Sequence, residues 1–323
     1  MMKKILLTGG AGFIGSHVAE ALLAQGASVC AYDSFDPYYP RSIKEQNIRD
    51  CTRNPCFTLV EADIRDRNML SEVIQSNSFD AVVHLAARAG VRPSLEQPQL
   101  YAQVNIDATV SLLELCKEAG VQKIVFASSS SVYGNRDGGP FRESDNTDHP
   151  LSPYGSTKKA GEVIAHVYSH LYGFSIACLR FFTVYGPRQR PDLAIRKFVR
   201  KAIRGESIPM FGDGSSRRDY THISDIVSGI LGALAWVDHS DGRYGIFNLG
   251  SSSPIELRQL LAGIEAGIGR PLIIDRLPTQ PGDVFQTFAD TTLAERELGF
   301  RHDIKFEDGL LDFIEWMKGN DLS

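Results

Sequence analysis

The sequence predicts a doubly wound, parallel α/β fold with a smaller C-terminal α/β lobe. Three observations carry this. Short, almost wholly apolar runs alternate with helical patterns through the first half of the chain. A glycine-rich turn follows the first of those runs. After Phe182 the loops lengthen and fill with Gly, Pro and Arg. Strands that are apolar at nearly every position are buried on both faces, as in a parallel sheet covered by helices.

In chain order, KKILLTG, ASVCAYD, CFTLVEAD, DAVVHLAA and KIVFASS read as buried strands. Helical patterns at 14–25 and 104–119 lie among them, and a helix at 154–172 leads to the strand FSIACLRFF. Beyond it come the loops TVYGPRQRPD, MFGDGSSRRDYTH and LPTQPGD, with helical patterns at 224–236 and 306–317. Residues 1–182 with about 223–250 are expected to form one lobe, and 183–222 with 251–323 the other.

The 323 residues are enough for one large domain or two subdomains around a shared cleft. Hydrophobic residues at 43% and charged residues at 23% are ordinary for a globular protein. The net charge of −5, with no Lys/Arg block, argues against a nucleic-acid partner, which needs clustered cations. The opening MMKKILLTGG lacks the longer apolar core of a secretion leader. No run approaches the roughly 20 apolar residues of a membrane span. A cytoplasmic location without membrane contact is therefore expected. Of the five cysteines, Cys30, Cys116 and Cys178 sit in apolar segments and read as core thiols. Cys51 and Cys56 have no nearby His or second Cys pair to complete a zinc set, so no metal is expected.

LLTGGAGFIGSH places Gly9, Gly12 and Gly15 between the first strand and a helix. One glycine permits the tight turn, one lets a pyrophosphate approach the backbone, and one lets helix pack on sheet. The helix N-terminus adds free N–H groups and a positive dipole end. A bare triplet is weak evidence, since turns are glycine-rich anyway. Here Asp33 ends the second strand about 20 residues on, where an acid takes ribose hydroxyls and repels a 2′-phosphate. That combination points to a Rossmann-type site for NAD rather than NADP. Asp63 and Ile64 after the third strand, and Leu85, Ala86 and Ala87 after the fourth, would edge the cofactor.

SPYGSTKKAGE carries Tyr154 and Lys158 on one helix face, their Cβ atoms about 6 Å apart. Alone, such a pair is common on solvated helices. Beside a nicotinamide it has a mechanism. A free tyrosine has a pKa near 10, and bringing it to about 7 takes roughly 4 kcal/mol. The Lys158 ammonium and a cationic nicotinamide both favour the phenolate. Lys158 would also hold the nicotinamide ribose. A serine of FASSSSVYG would bridge the tyrosine and a sugar hydroxyl.

With these elements in this order, the chain resembles extended short-chain dehydrogenases/reductases that act on nucleotide sugars, over nearly its whole length. The resemblance implies tightly held NAD, regenerated each turnover, a Ser/Thr–Tyr–Lys site, and a C-terminal lobe for a nucleoside diphosphate. It puts Ser129, counted back from VYG, on the catalytic hydroxyl, with Ser130 and Ser131 alongside. It also puts Phe13, Ile14 and Asn105 against the cofactor, and implies a homodimer through helices near 94–119 and 154–172.

The branch is read from departures. Dehydratases and uronate decarboxylases typically carry Glu just before VYG, and this chain has Ser131. A serine cannot shuttle the protons that elimination needs. What is left is oxidation at C4, rotation of the 4-keto sugar and hydride return, which is 4-epimerisation. RFFTVYGPRQRPD resembles the UDP-glucuronate 4-epimerase branch, whereas UDP-glucose epimerases typically have Asn in place of Thr183. Arg190, seven residues after Thr183, offers a planar fork to a uronate carboxylate. Arg88 is also typical of the uronate branch, while Arg188 reads as a solvated loop charge. Arg218 would face a phosphate and Asp283 the uridine ribose. Gln280 replaces the Arg usual in glucose epimerases. Phe211 and Val199 could flank the uracil, although core packing explains them equally well. A UDP-glucuronate decarboxylase, a UDP-glucose 4-epimerase and a non-catalytic NAD-sensing protein are the competing readings.

Overall fold

A computed structural model describes residues 3–136, 138–239, 242–278 and 286–320. At its centre is a seven-stranded sheet in the order Tyr244–Leu249, Ser175–Phe181, Lys123–Ser129, Ala81–His84, Lys4–Thr8, Ser28–Asp33, Phe57–Glu61. Every pairing in it is parallel. The chain builds outward from Lys4–Thr8 in one direction, then returns to build in the other. Crossovers therefore diverge between Lys4–Thr8 and Ala81–His84, and a crevice opens at their carboxyl ends.

The near-continuous apolar strands follow from two covered faces. Ile5, Leu7, Val83, Val125 and Leu179 join one core cluster with Val18, Leu22, Ile226 and Ile230 of the helices Phe13–Ala24 and Ile223–Asp238. Leu6, Val82, Ile124, Ile176 and Cys178 join the other, under Leu112, Cys116, Ala165 and Tyr168. Cys30, Cys51, Cys116 and Cys178 are buried free thiols. Among the described residues no helix is long and apolar enough to cross a membrane.

Four expected helices appear, as Phe13–Ala24, Pro153–Tyr172, Ile223–Asp238 and Phe306–Asn320. The fifth differs. The pattern at 104–119 is interrupted by a π-helical turn, Gln103–Asp107, before Ala108–Ala119. Asn105 sits in that turn, and its amide donates to the Arg88 carbonyl at 3.0 Å and the Thr157 hydroxyl at 2.9 Å. Single π turns commonly serve to aim a side chain in this way.

The smaller lobe contains the sheet Pro254–Glu256, Arg217–His222, Thr183–Tyr185 and the pair Ile274–Leu277, Ile208–Phe211. Its core gathers Tyr185, Val199, Met210, Leu260, Ile264, Phe313 and Ile314. Val199 is fully buried there, so core packing accounts for it. Thr183–Tyr185 starts one residue after Ser175–Phe181, so Phe182 is the covalent step from central sheet to small lobe.

One polar contact pins the helix Pro153–Tyr172 to the sheet. Arg180 donates from Nε and Nη2 to the two oxygens of Glu162, both at 2.8 Å, and each side chain is 1% exposed. Ser128 donates to the same carboxylate at 2.6 Å. Removing one member of a buried pair strands the other charge and costs about 3–5 kcal/mol. Glu162→Gln is expected to lower stability by an amount in that range, read from denaturant unfolding. A loss under about 1 kcal/mol, the level of an exposed pair, would show that the pair does not anchor the helix.

Candidate active site

The crevice is a cavity of about 500 Å³ walled by both lobes. Gly9 turns the chain at φ +74°, and a Cβ there would lie 2.8 Å from the Ala86 nitrogen. A Cβ on Gly15 would lie 2.1 Å from the Gly9 carbonyl oxygen, so helix and turn touch only because it has none. Gly12 caps the helix Phe13–Ala24 without a side-chain bond, leaving amides of the first turn for a ligand. The cradle fits a dinucleotide pyrophosphate. Gly9, Gly12, Phe13, Ile14, Gly15, Asp33, Asp63, Ile64, Leu85, Ala86 and Ala87 all reach the cavity wall.

Asp33 is 6% exposed and accepts from the Ala11 amide at 3.1 Å, the Phe35 amide at 2.9 Å and Lys44 Nζ at 3.0 Å. A carboxylate has about four acceptor positions, so one is left for a ribose hydroxyl. Arg65 bonds the Asp63 carboxylate and holds it below its usual range. Asn105 does not reach the wall. It is buried behind it and accepts the Arg88 amide at 2.8 Å, so it holds the loop that follows His84.

At the other end Ser129, Ser130, Ser131, Tyr154, Lys158, Thr183 and Arg190 share the wall. Ser152 caps the helix Pro153–Tyr172 by accepting the Gly155 amide at 3.1 Å, with Pro153 in the first turn. A Cβ on Gly155 would be 2.6 Å from the Ser131 carbonyl, so the serine turn lies directly on the helix. Ser129 accepts the Ser131 amide at 3.1 Å, which leaves its own proton for the Tyr154 phenol. Tyr154 rests edge-on against Tyr101, ring centroids 6.2 Å apart.

Electrostatics differ from the sequence expectation. Burial raises the Tyr154 pKa, and the groups that pull it down are Ser129 and the Arg190 charge. Lys158 does not supply that pull. Its Nζ donates to the Ala127 carbonyl at 2.8 Å, and burial lowers its pKa from 10.5 to about 8. Both groups are thus pushed toward their neutral forms.

Other positions depart more plainly. Arg188 is no solvated loop charge: at φ +64° it donates to Glu20 at 2.6 Å and tethers the small lobe to the helix Phe13–Ala24. Arg88 is on the wall but is paired with Asp36 at 2.6 Å. Phe211 is half-buried at the end of Ile208–Phe211 and Arg218 lies on Arg217–His222; neither reaches this cavity. Asp283 and Gln280 lie outside the described residues. The wall also includes Asp36, Tyr38, Tyr39 and Lys44, none of which the sequence marks. Two adjacent tyrosines, separated from Asp36 by Pro37 alone, are the only local cue to them.

Known proteins bear on this geometry. The model of the NAD dependent epimerase/dehydratase family matches residues 5–250. The chain belongs to that family. Among its relatives, UDP-glucuronate 4-epimerase 2 of Arabidopsis thaliana is 43% identical over 330 residues, spanning 98% of this chain and 76% of that protein. The crystal structure of UDP-glucuronic acid 4-epimerase from Bacillus cereus, in complex with UDP-glucuronic acid and NAD, superposes with a TM-score of 0.91 at 36% identity. That match covers 98% of this chain and 99% of that one. UDP-glucose 4-epimerase from Thermotoga maritima, solved with UDP-glucose, gives 0.89 at 32% identity and covers 98% and 99%. These epimerases share the whole chain's architecture, so the family's small lobe as well as its sheet is present here.

The Lys158 shift has a measurable consequence. A lysine held at about 8 when folded and 10.5 when unfolded binds fewer protons folded, so stability rises with pH between those values. Below pH 8 the burial gives up roughly 3 kcal/mol, at about 1.36 kcal/mol per pH unit. NAD-stripped Lys158→Met is expected to melt several degrees above the parent at pH 7. The gap should close as pH approaches 10.5. An equal gap at both pH values would rule out this cause.

Proposed function

We propose that this protein interconverts UDP-glucuronate and UDP-galacturonate. The observation that carries the reading is that Ser129, Ser131, Tyr154, Lys158, Thr183 and Arg190 line one cavity; the resemblance implies an acid at the Ser131 position in eliminating relatives, and a serine there supports epimerisation. The same whole-chain likeness to UDP-glucuronate 4-epimerases supports it.

NAD, when bound, would supply the hydride acceptor for sugar C4 and the donor for the hydride's return. The chain's own residues do the rest. Gly9, Gly12 and Gly15 would seat the pyrophosphate, Asp33 an adenosine ribose hydroxyl, and Lys158 the nicotinamide ribose. Tyr154, bonded by Ser129, would take the C4 hydroxyl proton. It would give the proton back after the 4-keto sugar has turned its other face. Ser130 and Ser131 would hold sugar hydroxyls. Residues 1–182 with about 223–250 would serve the cofactor, and 183–222 with 251–323 the nucleotide sugar. In that lobe Arg218, Asp283 and Phe211 are proposed to meet the UDP, and Arg88 the sugar side of the cavity. No net oxidation occurs, because each hydride removed is returned.

The 4-keto uronate is a β-keto acid, which loses CO₂ when its C5–carboxylate bond stands across the carbonyl plane. Arg190, Thr183 and a serine hydroxyl are proposed to hold C6 away from that orientation.

We also propose a homodimer in the cytoplasm. Val163, Val167 and Leu171 form a stripe at helical spacing on Pro153–Tyr172, exposed by 53%, 43% and 60%. Contiguous apolar patches of this kind mark association surfaces.

Incubation with UDP-glucuronate and no added NAD is expected to yield an isomer of unchanged mass. A product lighter by one CO₂ would instead support a decarboxylase. Arg190→Ala should lower affinity for UDP-glucuronate at least about tenfold, the scale of a lost bidentate ion pair, and release some UDP-pentose. Unchanged rate and affinity would remove Arg190 from the site. Val167→Glu with Leu171→Glu should convert a dimer to monomers in light scattering. A monomeric parent would refute the dimer.

A further inference from the structure

We propose that Asp192 is a positioning residue that makes the cavity selective for a carboxylate-bearing sugar, acting through Arg190. The proposal rests on the UDP-uronate reading above.

Arg190 donates from Nε to Asp192 at 2.9 Å and from Nη2 to its other oxygen at 2.7 Å. These bonds fill the side edge of the guanidinium. Nη2 also lies 3.5 Å from the Ala89 carbonyl. Nη1 makes none of these bonds. The flat face is held as well, since the Tyr38 ring centroid is 5.2 Å from the Arg190 carbon. Tyr38 in turn donates its hydroxyl to Asp192 at 3.3 Å. Arg190 is therefore fixed on one edge and one face, and its Nη1 end is left for the cavity.

Asp192 itself does not reach the cavity wall, whereas Arg190 does. Its carboxylate is placed to orient rather than to touch substrate. An unpaired arginine would lose much of its rotamer freedom on meeting a ligand. A pre-oriented fork loses much less, and this advantage goes only to ligands that can use the fork. A uronate carboxylate can accept charge-assisted bonds from the Nη1 end, and a neutral hydroxymethyl group gains little from them. The tether also crosses the cleft. Tyr38 follows the strand Ser28–Asp33 on the cofactor side, and Asp192 belongs to the loop after Thr183–Tyr185.

The test is Asp192→Asn, which keeps the size and one acceptor oxygen but cannot accept from both Nε and Nη2. Dissociation constants for UDP-glucuronate and UDP-glucose are measured by calorimetry on the NAD-loaded protein. Weakening of about tenfold for UDP-glucuronate alone is expected, the scale of one charge-assisted bond. Asp192→Glu should recover part of it. Equal weakening for both sugars would mean a merely structural role and overturn the proposal, as would no change. Tighter UDP-glucuronate binding would make Asp192 a competitor for Arg190 and overturn it too. The readout is binding, so it stands apart from the epimerase reading. A parent protein that binds UDP-glucuronate without converting it sinks that reading and leaves the binding comparison intact.

Discussion

The site depends on a buried ion pair that does not reach the cavity wall. Glu162 and Arg180 meet through two 2.8 Å bonds, each side chain 1% exposed. Two charges taken out of water are stable together only if the geometry satisfies both. Glu162 follows Tyr154 and Lys158 at four-residue steps, so all three share a face of Pro153–Tyr172. Arg180 and Ser128 are on neighbouring strands, and Ser129 is the next residue along. Any shift of the helix that misplaced Tyr154 would also open the pair. A contact one turn below the chemistry thus sets where the chemistry can be.

Burial supplies the second constraint, and it works against ionisation. The cavity raises the phenol of Tyr154 and lowers the ammonium of Lys158 to about 8. A neutral phenol is a poor base, so the chain alone does not present an activated tyrosine. The hydroxyl of Ser129 and the charge of Arg190 are what the protein sets against desolvation. A cationic ligand group beside Tyr154 would add to that pull, because a nearby positive charge favours the phenolate.

Legibility follows the range of the interactions. The glycine turn, Asp33 and the Tyr154–Lys158 pair are local patterns. Backbone geometry over a few residues forces each one, so the sequence displays them. The strands are legible for a similar reason, since double-sided burial removes polar positions from them. Tyr38, Lys44 and Asp192 belong to the site through tertiary contacts that no spacing rule marks. Lys44 meets Asp33 across a loop, and Tyr38 meets Asp192 across the cleft. Arg188 fails in the opposite sense: it looks like a loop charge, and only packing reveals Glu20 beneath it.

By itself the sequence determined the fold class, the cofactor class and a set of candidate residues, Ser129, Tyr154 and Lys158, that line one cavity wall. Periodicity, glycine placement and residue chemistry are properties of short segments, and short segments are what a sequence lays out. Only the tertiary structure decided which way Arg190 points, which groups tune Tyr154, and that Asn105 supports a loop from behind the cavity wall. Those outcomes are set by distances between residues remote in the chain and by exclusion of water, and neither exists until the two lobes have closed on one another.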